Sequence, residues 1–167
     1  NLNSREHSLQ KTKYILDQAQ HTVFIGLWDP EFPELRESLR AAHDRGAKVF
    51  SLVYGKEDPG FGVVYHHGTD HMPDYERLGR TLDCTVDSSW CITGTMGKEF
   101  PCRLVWSQNL GLVQTIESHI KHDFYLAEMN RTFGGEIERR YGKNLALLRS
   151  QFGETDLDPP REIPKNL

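Results

Sequence analysis

The 167-residue chain predicts an α/β domain whose sheet is mostly parallel or mixed and flanked by helices, and two stretches carry that prediction. His21 to Gly55 holds a strand, a crossover helix and a second strand with their punctuation in place, and Leu82 to Thr93 alternates about a turn as a hairpin does. With 37% hydrophobic and 26% charged residues, the chain can build one domain with a proper core but not two. A net charge of -4 argues against a surface that is a general nucleic-acid clamp, while leaving room for a local basic patch. Cys84, Cys91 and Cys102 are odd in number and match no CxxC pattern. With no signal peptide or long apolar run, they point to the reducing cytoplasm and away from a membrane. The chain begins at Asn1 without Met, as expected of a processed protein or a fragment.

In chain order, Asn3-Ser4-Arg5-Glu6 reads as a helix cap with the Glu reaching back, and Leu9, Thr12, Leu16 and Ala19 make a narrow apolar stripe. Residues 1–20 are therefore a linker or edge helix. Val23 to Trp28 is a short apolar run, the pattern of a strand covered on both faces. Asp29-Pro30 or Phe32-Pro33 opens the next helix, where Asp can accept free N–H groups and Pro is tolerated in the first turn. Phe32, Leu35, Leu39 and Ala42 form its buried stripe, Gly46 its left-handed stop, and Ala47 to Tyr54 the following strand. So short a crossover makes the two strands parallel neighbours joined right-handedly. Ligands of such sheets sit beyond the carboxyl ends of the strands, which puts Trp28, Asp29 and Tyr54 at the rim of any site.

Gly55 to Gly62, with Asp58-Pro59-Gly60 at its centre, is a loop; Val63 to His67 is a third strand, and Gly68 to Pro73 a second loop. Leu82, Cys84 and Val86 face one way, Asp83, Thr85 and Asp87 the other, and Asp87-Ser88-Ser89 turns the chain into Trp90 to Thr93. Gly94 to Pro101 reads as a flexible connection before a strand at Arg103 to Trp106. Asn109 caps a helix with Val113, Ile116, Ile120, Phe124 and Ala127 on one face, and Gly134-Gly135 ends it. A final helix carries Ile137, Tyr141, Leu145, Leu148 and Phe152, so that the domain runs over residues 21–152 and 153–167 are an irregular tail.

Three groups of residues bear on chemistry. His119-Ile120-Lys121 has the spacing of the His-x-Lys pair of phospholipase D-type phosphodiesterases. On a helix, however, residues two apart point about 200° from each other and cannot converge on one phosphate. The Asp expected five residues after the Lys also falls on Leu126. His66, His67, Asp70 and His71, with His119, His122 and Asp123, contain metal-ligating types but no recognised spacing. No metal and no cofactor is expected.

The third group is the hairpin. Leu39-Arg40-Ala41-Ala42-His43-Asp44-Arg45-Gly46-Ala47-Lys48-Val49 resembles the helix and Arg-Gly-x-x-Val turn that opens a phospholipase D-like domain. The signature of that superfamily is His-x-Lys-x-x-x-x-Asp, with Gly-Ser seven residues after the Asp. Here Asp87 is followed at that spacing by Gly94-Thr95, while Arg80 stands in place of the catalytic His and Leu82 in place of the Lys. An Arg cannot form a phospho-enzyme and a Leu cannot neutralise phosphate charge.

A phospholipase D-like domain without its catalytic pair is similar to the effector part of TrmB-like transcriptional regulators. The likeness runs through the opening helix, Val23 to Tyr54, the hairpin at Asp87, Val105-Trp106-Ser107-Gln108-Asn109 and His119 to Tyr125. It implies a phospholipase D-like effector-sensing and dimerisation domain, not an enzyme. It implies as partners a second copy, a small-molecule effector, and DNA contacted through a winged helix-turn-helix that this chain lacks. The candidate effector-binding residues are Trp28, Asp29, Tyr54, His66 and Arg80. The alternative is a divergent phosphodiesterase or nuclease of the same fold.

Overall fold

The computed structural model describes residues 2–67, 79–97 and 102–152. Six strands form one sheet: β1 (Thr22–Trp28), β2 (Lys48–Tyr54), β3 (Val63–His67), β4 (Arg80–Val86), β5 (Trp90–Met96) and β6 (Arg103–Ser107). Their order across the sheet is β3-β2-β1-β4-β5-β6. β1, β2 and β3 pair parallel, with Trp28 beside Tyr54 and Tyr54 beside His67. β4 lies antiparallel to β1, and β5 and β6 continue antiparallel, so the sheet is mixed.

Because side chains alternate along each strand, the two faces of the sheet bury different sets. On one face Val23, Ile25 and Leu27 of β1, Val49 and Val53 of β2 and Leu82, Cys84 and Val86 of β4 make the main core. Two helices supply the other half of that core: α1 (Arg5–Asp17) through Leu9, Ile15 and Leu16, and α2 (Phe32–Asp44) through the predicted stripe Phe32, Leu35, Leu39 and Ala42. The opposite face presents Phe24, Phe50, Leu52, Tyr54 and Tyr65 to Ile116, Ile120 and Phe124 of a long helix, α3 (Leu110–Tyr141). The phospholipase D-like, helix-flanked α/β sheet expected from the sequence is the fold observed.

Local chemistry explains most boundaries. The Ser4 hydroxyl accepts the His7 N–H at 3.2 Å and starts α1, while Glu6 takes a bond from Gln10 and does not reach back. Gly46, at φ +98, stops α2 as predicted, and Asn109 Oδ1 accepts the Leu112 N–H at 3.2 Å to start α3. The Gly55 to Gly62 loop returns the chain to the start of β3 on the α2 side, where Phe61 is buried in the main core between the His43 ring and the Arg40 guanidinium.

Three local expectations are corrected. Asp29 does not cap α2, whose N-cap is Glu31 without a side-chain bond; its carboxylate is engaged by the β2–β3 loop instead. Gly94, Thr95 and Met96 are strand β5 and not a flexible connection. The reason is close packing: a Cβ on Gly94, at φ +147, would sit 2.1 Å from the Arg103 carbonyl oxygen, so glycine lets β6 draw up to β5. Gly134-Gly135 marks the end of the first helical segment of α3 as expected: the backbone leaves helical geometry at Phe133, φ -123 and ψ 16, and a second segment runs on to Tyr141. A further break comes at Gly142, φ +78, and is followed by a 3-10 turn (Lys143–Leu145) and α4 (Ala146–Gln151). The stripe assigned to one final helix, Ile137 to Phe152, is thus shared by α3 and α4, and Phe152 is 78% exposed. The chain divides into compact units 1–127 and 128–167. The Gly68 to Pro73 loop, Pro101 and the 153–167 tail lie outside the described residues.

Candidate functional site

The carboxyl ends of β1, β2 and β3 meet at one edge of the first unit, because the parallel register sets Trp28, Tyr54 and His67 side by side. The Trp28 and Tyr54 rings stack at 4.8 Å between centroids with 16° between planes, and the His67 ring leans on Tyr54 at 5.1 Å. Facing them from α3, Asp123 accepts the Tyr54 hydroxyl at 3.4 Å, and His119 stands 4.0 Å from the same carboxylate oxygen. Beneath, on β4, Asp83 accepts a hydrogen bond from Thr93 of β5. Burial pushes the Asp83 carboxyl above its usual range, with Thr93 and the His119 charge opposing and Asp123 adding to the rise. The result is an aromatic wall with carboxylates at its foot, suited to holding a small polar or cationic molecule by stacking and by charge.

On the rim, Asp29 accepts the backbone N–H groups of Lys56 at 2.9 Å and Glu57 at 3.0 Å. A Cβ on Gly55 would fall 2.1 Å from that carboxylate, so glycine is what lets the loop close over Asp29. His66 Nδ1 lies 3.3 Å from the Gly55 carbonyl, on the face opposite to His67. Four of the five predicted effector residues therefore gather at the ends of the parallel strands. Arg80 enters from the neighbouring β4 on the α2 side, where it is committed to another partner.

That partner is Glu31. The Arg80 guanidinium donates through Nε at 2.9 Å and Nη2 at 2.7 Å to the two oxygens of a carboxylate that is 1% exposed. Leu82 is 0% exposed in the main core. Asp87 accepts the N–H groups of Gln20, His21 and Thr22 at 2.9, 2.9 and 2.7 Å and so ties the hairpin to the start of β1. Burial works against its charge, but the three amides and the His21 charge outweigh it and hold this carboxyl below the usual range. Gly94 packs on β6, and Thr95 lies against the position a Gly79 side chain would take. Arg80, Leu82, Asp87 and Gly94 of the degenerate motif are thus occupied by groups with structural work. The pair His119 and Lys121 diverges on α3: Lys121 bonds Glu117 and lies over the Phe24 ring, while His119 is exposed.

Among the described residues no three His, Cys, Asp or Glu side chains form a metal-holding group, and Asp70 and His71 lie outside those residues. Sequence reasoning passed over Asp83 and Thr93, because the alternating hairpin assigns them to a solvent face that α3 in fact partly covers. It also passed over Glu31, whose only signal is that it follows Trp28 by three residues, close enough to sit at the same strand end.

A protein-family profile described as "Transcriptional regulator TrmB, EBD N-terminal subdomain" matches residues 1–110. The chain belongs to the TrmB family of transcriptional regulators. A curated relative, the uncharacterized protein YrhO of Bacillus subtilis (strain 168), is 30% identical over 152 residues, covering 91% of this chain and 55% of YrhO. The chain thus spans about half the length of that relative. Among solved structures, TrmBL2, an archaeal chromatin protein described as showing a novel mode of DNA binding, superposes with a TM-score of 0.55 at 17% identity, over 75% of this chain and 52% of TrmBL2. NucT from Helicobacter pylori gives a TM-score of 0.55 at 11% identity, over 70% of this chain and 87% of NucT. Nuc from Salmonella typhimurium, a phospholipase D family member, gives 0.53 at 14% identity, over 72% of this chain and 86% of Nuc. These likenesses establish the fold shared by the TrmB-family domain and the phospholipase D family.

Proposed function

We propose that this chain is the effector-sensing and dimerisation module of a TrmB-family regulator and that it has no catalytic activity. The observation that carries this reading is the fate of the motif: the positions of the phosphodiesterase His and Lys hold Arg80, bound to Glu31, and Leu82, sealed in the core. With neither a nucleophile nor a phosphate-neutralising cation there, the rim at Trp28 and Tyr54 is left as a binding surface. The effector stacks on Tyr54, backed by the buried Trp28 ring, while Asp29 closes the rim loop and His66 and Arg80 support that strand end from the other face of the sheet. The neighbours NucT and Nuc, at 11% and 14% identity, speak for fold alone.

In this reading residues 21–152 are the effector domain, 1–20 the edge helix and 153–167 a tail. DNA is contacted by a winged helix-turn-helix outside this chain, in the cytoplasm, where Cys84, Cys91 and Cys102 stay reduced; all three are free and buried. Among the described residues no helix is long and apolar enough to cross a membrane. A regulator reading a two-fold operator needs paired subunits, and Tyr125, Leu126 and Leu147, exposed at 58%, 48% and 59%, offer apolar contacts for a second copy. A stable contact buries at least roughly 1,000 Å². A thermal-shift screen of small molecules tests the sensing role: a hit whose shift disappears in Tyr54→Ala supports it. A hit indifferent to both Tyr54→Ala and Trp28→Ala moves the effector elsewhere.

A further inference from the structure

On the α1 side of the sheet, three aromatic rings converge on one ammonium. The Nζ of Lys11 lies 3.7 Å from the Trp106 centroid, 4.4 Å from Tyr14 and 5.3 Å from Trp90. Trp90 meets Tyr14 edge-on at 6.1 Å and Trp106 at 5.8 Å. Three different elements build this arrangement. Tyr14 stands one turn after Lys11 on α1, Trp90 opens β5 behind the hairpin turn, and Trp106 on the edge strand β6 is brought level by the pairing of Trp106 with Ile92. Among the described residues no carboxylate is paired with Lys11, so ring faces and not a counter-charge hold the cation. Tyr14 and Trp106 nevertheless remain 50% and 38% exposed, so the enclosure is open to solvent on one side.

We propose that Tyr14, Trp90 and Trp106 form a cage for a quaternary ammonium ligand, closed in this structure by the protein's own Lys11. A primary ammonium is strongly hydrated and donates three hydrogen bonds that ring faces do not satisfy well. A quaternary ammonium has no such donors, is easily stripped of water, and gains both the quadrupole attraction and the burial of its methyl groups. It is therefore the better occupant, and Lys11 is a built-in competitor. Apparent affinity falls by the fraction of time the cage is free: if Lys11 docks nine-tenths of the time, its removal raises affinity roughly tenfold. Binding also costs α1 its Lys11 contact with the sheet edge, which makes ligand occupancy and the seating of the opening helix mutually dependent. This site is on the opposite face of the sheet from the Trp28 and Tyr54 rim and stands whether or not that rim binds an effector.

The test uses the intact 167-residue chain, with choline as the cation and 3,3-dimethylbutan-1-ol as its neutral isostere. The indole N–H resonances of Trp90 and Trp106 are followed at constant ionic strength, and the fold of each variant is checked by its far-ultraviolet circular dichroism. In Lys11→Ala and Lys11→Gln, choline shifts both indoles saturably, at roughly tenfold lower concentration than in the wild type. Lys11→Arg, which keeps a cation in the cage, behaves as wild type. The response disappears when Trp106→Leu is added to Lys11→Ala, and the alcohol produces none. The proposal is overturned if choline leaves Trp90 and Trp106 unmoved in a folded Lys11→Ala protein, judged by a wild-type circular dichroism spectrum. An equal response to the alcohol also overturns it, since that would reflect apolar contact alone. Wild type and Lys11→Gln titrating together would overturn the plug.

Discussion

Replacing Arg80 with Met separates a structural residue from a relic of catalysis. The guanidinium is 6% exposed and makes two bonds to a Glu31 carboxylate that is itself 1% exposed. Removing one member of a buried pair strands the other charge, at a cost of about 3–5 kcal/mol. Arg5, with Nη2 at 3.9 Å from Glu31, gives the stranded carboxylate a weak second partner, which places the expected loss at the lower end, about 3 kcal/mol. For a domain of this size that is about 10 °C in Tm. The double replacement Glu31→Met/Arg80→Met exchanges the ion pair for apolar groups of similar volume and returns stability to within about 1–2 kcal/mol of wild type. Urea titration at neutral pH, with the slope m checked for constancy, reads both numbers. A loss below about 1 kcal/mol for Arg80→Met would mean that the pair is screened by water like a surface bridge. A double variant as unstable as the single would mean that the site needs the ions themselves. The first result would refute the structural role assigned to Arg80, and the second would refute the stranded Glu31 charge as the source of the loss.

Other outcomes follow from the same geometry. Reinstating the motif with Arg80→His/Leu82→Lys puts an ammonium at a fully buried position and destabilises by more than about 4 kcal/mol; chemical denaturation of a folded, active variant would contradict this. Asp87→Asn leaves an amide N–H facing a backbone N–H and costs about 2 kcal/mol, discounted because the side chain is partly exposed. The native carboxyl titrates below its unfolded value, so its charge-dependent stability is present above the ordinary carboxylate range and lost as pH falls through the folded value. Wild type should therefore lose its advantage over Asp87→Asn on acidification, and a pH-independent gap would count against the amide network. Gly94→Ala, with its Cβ 2.1 Å from the Arg103 carbonyl oxygen, should cost more than about 3 kcal/mol. Gly135→Ala, where no neighbouring atom lies within 4 Å, should add about 0.5–1 kcal/mol; thermal melts of the two decide it.

The central strands and α2 were legible because their signals are local: an apolar run, a 3.6-residue stripe and a glycine stop each act within one element. The pairing of Trp28 with Tyr54 was also within reach, since it follows from parallel register once two neighbouring strands end on aromatics. The failures share a cause, which is that partners distant in sequence decided the outcome. Asp29 has the right chemistry for a helix cap, but the amides of Lys56 and Glu57 took its carboxylate. Gly94 reads as a loop residue until β6 is seen to need the space its missing Cβ leaves. Likewise, nothing in the spacing of Lys11, Tyr14, Trp90 and Trp106 announces that they meet, because α1, β5 and β6 are joined only by the fold.

The claim that this TrmB-family domain binds without catalysing is tested most directly by phosphodiester turnover. The purified chain is incubated with bis-p-nitrophenyl phosphate, with and without divalent cations, alongside His119→Gln, an exposed substitution that leaves the fold intact. The predicted result is release of p-nitrophenolate at the buffer rate for both proteins, because Arg80 and Leu82 supply no nucleophile and His119 and Lys121 point apart on α3. Turnover by the wild-type chain that disappears in His119→Gln would contradict the account, and it would return the domain to the enzymes whose fold it shares.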